Sequence, residues 1–333
     1  MESLKRPLFA DVTAYGQCFA DADYWHPYVS EVIRRHNLPG AGRVRETLPG
    51  THPVFIVDER FVVKFFTHLF QGSQSAIREK AVYDRLTLDS FVSAAALVGS
   101  GDLFPVQDGQ WRWPYLITTV VEGSSFGETE PHAWEDRVHA AAAAGVLLRQ
   151  FHSQRLSSEG VLAARWHDFD ELLERRRRAM CMPGALDAAP PHMRPMIKAR
   201  VESTALPFDP HQACHLLHGD LNADHLFGVQ EAAGWRFTGV IDFGDVKVGD
   251  PIYDFVPLHI GLFRCDKRLL RICLDAYEPG RTVLRDFAQR AMDYTWLYES
   301  CVVKDLFAAN PAFALARTIE ELASAVWDVD QQQ

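Results

Sequence analysis

Two short acidic motifs constrain this chain more than anything else in it. His218-Gly219-Asp220-Leu221 follows the apolar pair Leu216-Leu217, and Val240-Ile241-Asp242-Phe243-Gly244-Asp245 closes a β-forming run that starts at Phe237. Between them lie Phe227, Gly228, Trp235 and Phe237, enough for a short hairpin. An Asp on a tight loop, followed by an Asp at the end of a strand, is expected to put two carboxylates at the rim of one cleft. Phosphoryl transfer uses such a pair. One carboxylate accepts or orients the acceptor hydroxyl proton, and the other holds Mg²⁺ against the phosphates. Magnesium prefers hard oxygen ligands, so carboxylate is the right type. Either triplet alone is a weak signal, because both arise by chance in turns. Their order, their short separation and the apolar run before each carry the reading.

Composition narrows the rest. The chain has 333 residues, 47% hydrophobic and 23% charged, which is material for about two domains and excludes disorder. Its 21 Gly, 18 Pro and 6 Cys exclude a collagen-like or disulfide-stapled scaffold. With 34 Lys+Arg against 44 Asp+Glu, the net charge of −10 argues against a nucleic-acid surface and suits a cationic partner. Cys18, Cys181, Cys214, Cys265, Cys273 and Cys301 show no C-x-x-C spacing, and the 14 histidines form no H-E-x-x-H, so no zinc site or redox pair is expected. The N-terminus lacks a signal-type apolar run. The softest stretch, Ala140 to Leu148, is far shorter than the ~20 apolar residues of a membrane span. A cytoplasmic protein without a membrane segment is expected.

The layout changes character once. Tyr24 to His36 has helical spacing, with Tyr28, Val29, Val32 and Ile33 on one face and a stop at Leu38-Pro39-Gly40. Val54–Val57 and Phe61–Phe66 read as strands around an Asp58-Glu59-Arg60 turn. Residues 74–88 read as a helix, and Trp111 to Val121 as a further strand ending at a hinge, Glu122-Gly123. Beyond it come long helical patterns over Trp134–Arg155 and 167–182, a Pro-rich loop near 183–195, the two motifs, and a mostly helical remainder from about 251. The Arg175–Arg178 run reads as a solvated helix face.

HGDL followed by IDFGD resembles the aminoglycoside phosphotransferases, relatives of the protein kinases, and most of all the hygromycin B 7″-O-kinase type. The resemblance extends over most of the chain, through DADYWHPYVSEVIRRHNLP, VVKFF, the 76–86 helix, WPYLITTVVEG, DFDELLERRRR and GVIDFGDVKVGDPIYDFVPLHIGLFRCDKRLL. It implies an α+β, two-lobed, protein-kinase-like fold. Residues 1–121 would form an antiparallel-sheet nucleotide-binding lobe with an N-terminal helical extension, and residues 122–333 a helical lobe with the catalytic loop and acceptor site. It also implies ATP or GTP as donor, Mg²⁺, and a small-molecule hydroxyl acceptor.

Residue by residue, the resemblance makes Asp220 the catalytic Asp and Asp242 the metal-binding Asp. Lys64 matches the lysine on the nucleotide phosphates, and its point charge suits them. Glu79 matches the glutamate that positions this lysine, although Arg78 and Lys80 offer it other neighbours. Leu48 to Pro53 match the loop over the phosphates. That stretch lacks G-x-G-x-x-G, yet Gly50 backbone and the Thr51 hydroxyl can cradle an anion. The absence of a G-x-x-x-x-G-K-[ST] run disfavours a P-loop enzyme. Thr118 to Val121 match the linker that holds the purine, with Val120 carbonyl and Val121 amide as its contacts. His218 is expected to orient the loop, and Asp250 to tie down the segment after the metal loop.

One position departs from the family. Its second metal ligand is usually an Asn five residues after the catalytic Asp, and here that residue is His225. Imidazole is a softer ligand than an amide oxygen. His225 binding the metal directly, a bridging water, substitution by Asn222 or Asp224, and a weakened second site all stay open. For the cationic acceptor, Asp245 and Glu299 are the leading acids, with Asp266, Asp293 and Asp305 behind them. Tyr294, Trp296 and Tyr298 could give sugar rings flat apolar surfaces, although Trp296 and Leu297 stand at a helical spacing that is more often core. The expected activity is ATP- or GTP-dependent phosphorylation of an aminoglycoside or aminocyclitol, hygromycin B first, by a monomer that confers antibiotic resistance. The alternatives are a metabolite kinase for choline or a sugar, and a nucleotide-binding pseudokinase, the latter supported by His225 alone.

Overall fold

A computed structural model describes residues 4–40, 42–47, 50–106, 109–129, 132–203, 207–209, 211–278, 286–300 and 302–330. The chain forms two compact units: unit 1 is Met1–Glu122 with Ile241–Asp245, and unit 2 is Gly123–Val240 with Val246–Gln333.

In unit 1, helices α1 (Val12–Gly16) and α2 (Ala22–Arg35) precede strands β1 (Val44–Glu46), β2 (Val54–Val57) and β3 (Phe61–Phe65). Helix α3 (Gly72–Leu88) and strands β4 (Leu97–Asp102) and β5 (Pro114–Thr119) follow. The sheet is antiparallel, in the order β1-β2-β3-β5-β4. Asp58 and Glu59 both have positive φ (49° and 52°), so the β2–β3 turn has the left-handed sense that matches strand twist. Asp21 starts α2 earlier than periodicity suggests, because its carboxylate accepts from the Asp23 and Tyr24 N–H groups. Trp113 has φ 56°, which breaks the strand expected from Trp111 and delays β5 to Pro114.

Alternation along β3 decides what each residue can do. Phe61, Val63 and Phe65 are buried with Trp25, Val29, Val32, Trp113 and Ile117 in a core shared with α2. Trp25 stacks on Phe65 at 5.0 Å, and burying a side chain like Phe65 contributes about 2 kcal/mol. Val62 and Lys64 point to the other face, where their register partners are Thr118 and Leu116. In α3 the buried residues Ala76, Glu79, Val82, Tyr83 and Leu86 form one helical face, so Glu79 is an acid set in an apolar stripe.

Unit 2 opens with β6 (Ser124–Ser125), α4 (Trp134–His152), α5 (His167–Met180) and α6 (Arg194–Ser203). Strands β7 (His215–Leu217), β8 (Leu226–Glu231), β9 (Gly234–Val240) and β10 (Lys247–Gly249) follow. A 3₁₀ turn, Pro251–Asp254, leads into α7 (Phe255–Pro257) and a π-turn over Leu258–Leu262. The end is helical: α8 (Lys267–Tyr277), α9 (Phe287–Leu297), α10 (Val303–Ala309) and α11 (Ile319–Trp327). β6, β8 and β9 form one antiparallel sheet, and β7 pairs with β10, Leu217 opposite Lys247. Helices α4 and α8 touch backbone to backbone: a Cβ on Gly145 would lie 2.2 Å from the Cys273 carbonyl oxygen. No helix among the described residues is long and apolar enough to cross a membrane, and the described cysteines are free thiols.

Candidate functional site

In unit 1 the site grows from β3, α3 and the five-residue return. Lys64 Nζ lies 2.8 Å from Glu79 Oε2 and 2.8 Å from Asp242 Oδ1. β3 supplies the cation because its alternation turns Lys64 away from the core. Burial works against the Lys64 ammonium, but the two carboxylates outweigh it and hold its pKa above the usual value. Burial pushes Glu79 upward against the pull of Lys64, and Asp242 pushes the same way. Lys80 is no competitor for Glu79, since it pairs with Asp84.

Asp242 does not end a strand, as the sequence pattern suggested. β9 stops at Val240, and Asp242 takes φ 64°, a left-handed conformation that Asp tolerates better than most residues. The turn aims its carboxylate at Lys64, and Gly244 N–H adds a bond to Oδ1 at 3.3 Å. Phe243 is fully buried, edge-on to Tyr83 of α3 at 5.2 Å, and fixes the segment in unit 1. The Asp242 side chain is 36% exposed, so its hard oxygen donors fit a Mg²⁺ ion. Gly50 and Thr51 are exposed, and the Tyr15 hydroxyl donates to Thr51 O at 2.7 Å. Leu48 and Pro49 lie outside the described residues. Next to them, burial pushes the His52 pKa down to about 3, with Lys64 adding to it. Thr118 is buried at the end of β5, Val120 N–H donates to Arg60 O at 3.2 Å, and Val121 is buried. Asp245 is exposed.

In unit 2 the H-G-D loop follows β7. Gly219 has φ 85° and makes the tight turn. His218 and Gly219 donate consecutive N–H groups to the two Asp254 oxygens, both at 2.8 Å. Asp254 is fully buried and also receives His152 Nε2 at 3.1 Å. Burial raises its pKa, but the His152 bond and backbone donors prevail and hold it below the usual value. His152 in turn meets the Tyr277 hydroxyl at 3.0 Å. The loop is thus oriented by its backbone on Asp254, and the His218 ring contributes Nδ1 as a 3.4 Å acceptor for Asp220 N–H.

Asp220 Oδ1 receives the Tyr298 hydroxyl at 3.0 Å, and Oδ2 the Asn222 amide at 3.3 Å. His225 Nδ1 donates to the backbone carbonyl of Asp220 at 2.7 Å. This role in holding the loop engages one ring nitrogen.

The acceptor candidates separate. Glu299 pairs with Lys247, a buried ammonium that also lies over the Tyr253 ring at 5.2 Å. Asp293 is taken up by Arg200, two bonds at 2.8 Å, and Asp266 caps α8 and pairs with Arg268. The aromatic platform expected from Tyr294, Trp296 and Tyr298 is absent: all three are buried, at 0%, 1% and 3% exposure. Their apolar surface serves the core, and the Tyr294 hydroxyl serves Asp250 at 2.9 Å. Sequence reasoning missed Asp254 and the Tyr298 contact. The signal for Asp254 was available, as a lone acid inside the apolar run Pro251–Leu258.

A lysine braced by two carboxylates on an antiparallel sheet, with a separate backbone-anchored Asp loop, defines the class of kinase-like phosphotransferases. The chain belongs to the phosphotransferase enzyme family, whose family profile matches residues 48–287. Its fold is that of the aminoglycoside phosphotransferases, α+β with an antiparallel sheet and a largely helical remainder. The GDP complex of wild-type aminoglycoside 2'-phosphotransferase-IIIa superposes with a TM-score of 0.61 at 17% identity, covering 91% of this chain and 98% of that one. The streptomycin–ATP–APH(2")-IIa ternary complex gives 0.57 at 18% identity, covering 89% and 97%. Macrolide 2'-phosphotransferase MphH from Brachybacterium faecium gives 0.52 at 17%, covering 93% and 99%. Among curated proteins, lysine-specific demethylase JMJ21 of Arabidopsis thaliana is 24% identical over 271 residues. That match takes in 65% of this chain, which spans 29% of the length of the demethylase.

Proposed function

We propose that this protein transfers the terminal phosphoryl group of ATP or GTP to a hydroxyl of a cationic aminoglycoside or aminocyclitol, with hygromycin B the first candidate. The observation that carries the reading is the Lys64 ammonium held 2.8 Å from both Glu79 and Asp242. In this role Lys64 binds phosphate oxygens and Glu79 keeps it in place. Gly50 and Thr51 line the phosphates, and Thr118, Val120 and Val121 hold the purine. Asp220 accepts the acceptor hydroxyl proton at its carboxylate. Asp242 holds Mg²⁺, with His225 as a further candidate; when bound, the ion neutralises charge on the phosphates.

Support for the acceptor class comes from the net charge of −10, which favours a polycation, and from neighbours crystallised with kanamycin and with streptomycin. Asp245 and Glu299 are the proposed acceptor contacts, Glu299 sharing its carboxylate with Lys247. A cytoplasmic monomer that inactivates an antibiotic fits the reading.

The test is ADP and GDP release by the purified protein with Mg²⁺, across hygromycin B, kanamycin, streptomycin and choline. Antibiotic-dependent release and a phosphorylated product by mass are expected. Release with choline alone moves the assignment to a metabolite kinase. Nucleotide binding with no turnover on any acceptor moves it to a pseudokinase.

A further inference from the structure

We infer that Tyr298 is a positioning residue for phosphoryl transfer, fixing which oxygen of Asp220 faces the acceptor. The inference rests on the assignment of Asp220 as the base. Tyr298 lies just past the end of α9, 3% exposed. Its hydroxyl is 2.8 Å from Gly219 O and 3.0 Å from Asp220 Oδ1. Both partners can only accept, so the single phenolic proton is shared between the loop backbone and the carboxylate. Burial, with Asp220 beside it, keeps this phenol protonated by raising its pKa well above the usual value. Tyr298 is therefore a permanent donor.

The consequence for Asp220 is geometric. A carboxylate on a short loop can rotate about its last torsion, which is broad and roughly two-fold. Tyr298 holds Oδ1, while Oδ2 has longer contacts, to the Asn222 amide at 3.3 Å and to His225 Nδ1 at 3.8 Å. The oxygen offered to an incoming hydroxyl is thereby Oδ2, with Asn222 the group that yields. The donor's own position is secured by its neighbour: Glu299 N–H donates to the Tyr253 hydroxyl at 3.1 Å, and the Glu299 carboxylate pairs with Lys247. Tyr253 is itself 5.0 Å from the Tyr298 ring. A base held to one rotation has fewer unproductive orientations, which is how positioning raises the rate of the chemical step.

The experiment is a double-mutant cycle read in two reactions, nucleotide hydrolysis by water and transfer to hygromycin B. Tyr298→Phe keeps the buried ring and removes only the hydroxyl. It is expected to lower kcat about tenfold in the water reaction, with nucleotide KM within twofold of wild type. In an Asp220→Ala background the same change is expected to alter the residual rate less than twofold, because the oxygen it held is gone. An equal fold-loss in both backgrounds would overturn the inference and leave Tyr298 a packing residue, as would an unchanged kcat in Tyr298→Phe. The water reaction needs no antibiotic. A wrong acceptor therefore shows as missing antibiotic-dependent turnover, whereas a wrong role for Tyr298 shows in the ratio between variants. Should Tyr298→Phe fold poorly, Asn222→Ala reads the same geometry. It removes the 3.3 Å contact at Oδ2 and is expected to lower kcat less than Asp220→Ala does, and an equal loss would overturn the assignment of oxygens.

Discussion

Lys64 and Asp242 stand 178 positions apart in sequence, and their charged atoms lie 2.8 Å apart. Glu79, on the buried face of α3, completes a cluster of one cation and two anions. Replacing Lys64 by Met leaves a buried carboxylate facing another acid. Removing one partner of such a pair costs about 3 kcal/mol or more. The expected result is a lower urea midpoint together with a loss of turnover of roughly 100-fold. Glu79→Gln should cost less stability, because an amide can still accept from Lys64. Equal urea midpoints for Lys64→Met and wild type would show that the cluster contributes nothing to folding.

Asp254 carries the H-G-D loop through two backbone N–H groups and meets His152 from behind. Asp254→Ala orphans three buried donors and should cost on the order of 3–5 kcal/mol. Asp254→Asn keeps one acceptor oxygen and should stay folded, with a turnover defect of about tenfold or more and unchanged nucleotide affinity by calorimetry. A fully active Asp254→Asn would mean that the loop holds its shape without this anchor.

His225 offers a clean substitution. Asn in its place can still donate to the Asp220 carbonyl and brings a hard oxygen. His225→Asn is expected to retain activity and to shift the ratio of Mg²⁺- to Mn²⁺-supported rates toward Mg²⁺ by a few fold. Loss of activity with both ions would assign the imidazole to the 2.7 Å bond that shapes the loop.

His259 sets an acid limit on stability. It is fully buried, donates Nε2–H to Val326 O at 2.8 Å, and packs on Trp327 at 4.5 Å. Burial pushes its pKa down from 6.5 to about 4. Between those values the unfolded chain binds a proton that the folded chain does not. Stability from this group is therefore complete above about pH 6.5 and is lost as pH falls toward 4, by about 3 kcal/mol. Thermal midpoints of wild type and His259→Gln, measured from pH 7 to 4.5, should converge on the acid side. Parallel curves would exclude the imidazole as the source.

The sequence made some of this legible because the relevant physics is local. Alternation in Phe61–Phe65 turns Lys64 away from the core, and residues 74–88 form the helix their pattern predicts, but not its buried face: Ile77 is 55% exposed, while Glu79, which by itself reads as a surface acid, is buried. The H-G-D and D-F-G triplets gave the two carboxylates their expected roles. What local pattern could not give was choice of partner over long separations. Tyr298 looked like a surface for a sugar ring, and its contact to Asp220 spans 78 positions. Trp296 and Tyr294 looked alike in sequence and were claimed by the core. Asp242 looked like the last residue of a strand. Its positive φ is one that Asp tolerates, but the contacts it serves, Asp242 on Lys64 and Phe243 on Tyr83, lie far back in the sequence.

The return of Ile241–Asp245 to unit 1 has a temporal side. A ribosome adds roughly 5–20 residues per second, so Lys64 is translated on the order of ten seconds or more before its partner Asp242. Until then the nascent sheet carries Lys64 with Glu79 alone, and the segment that closes the cluster arrives from a stretch flanked on both sides by unit 2 sequence. Unit 1 is therefore not a fragment that can be cut out at residue 122 and expected to mature by itself. Its last piece is delivered late, by the chain that builds the other half.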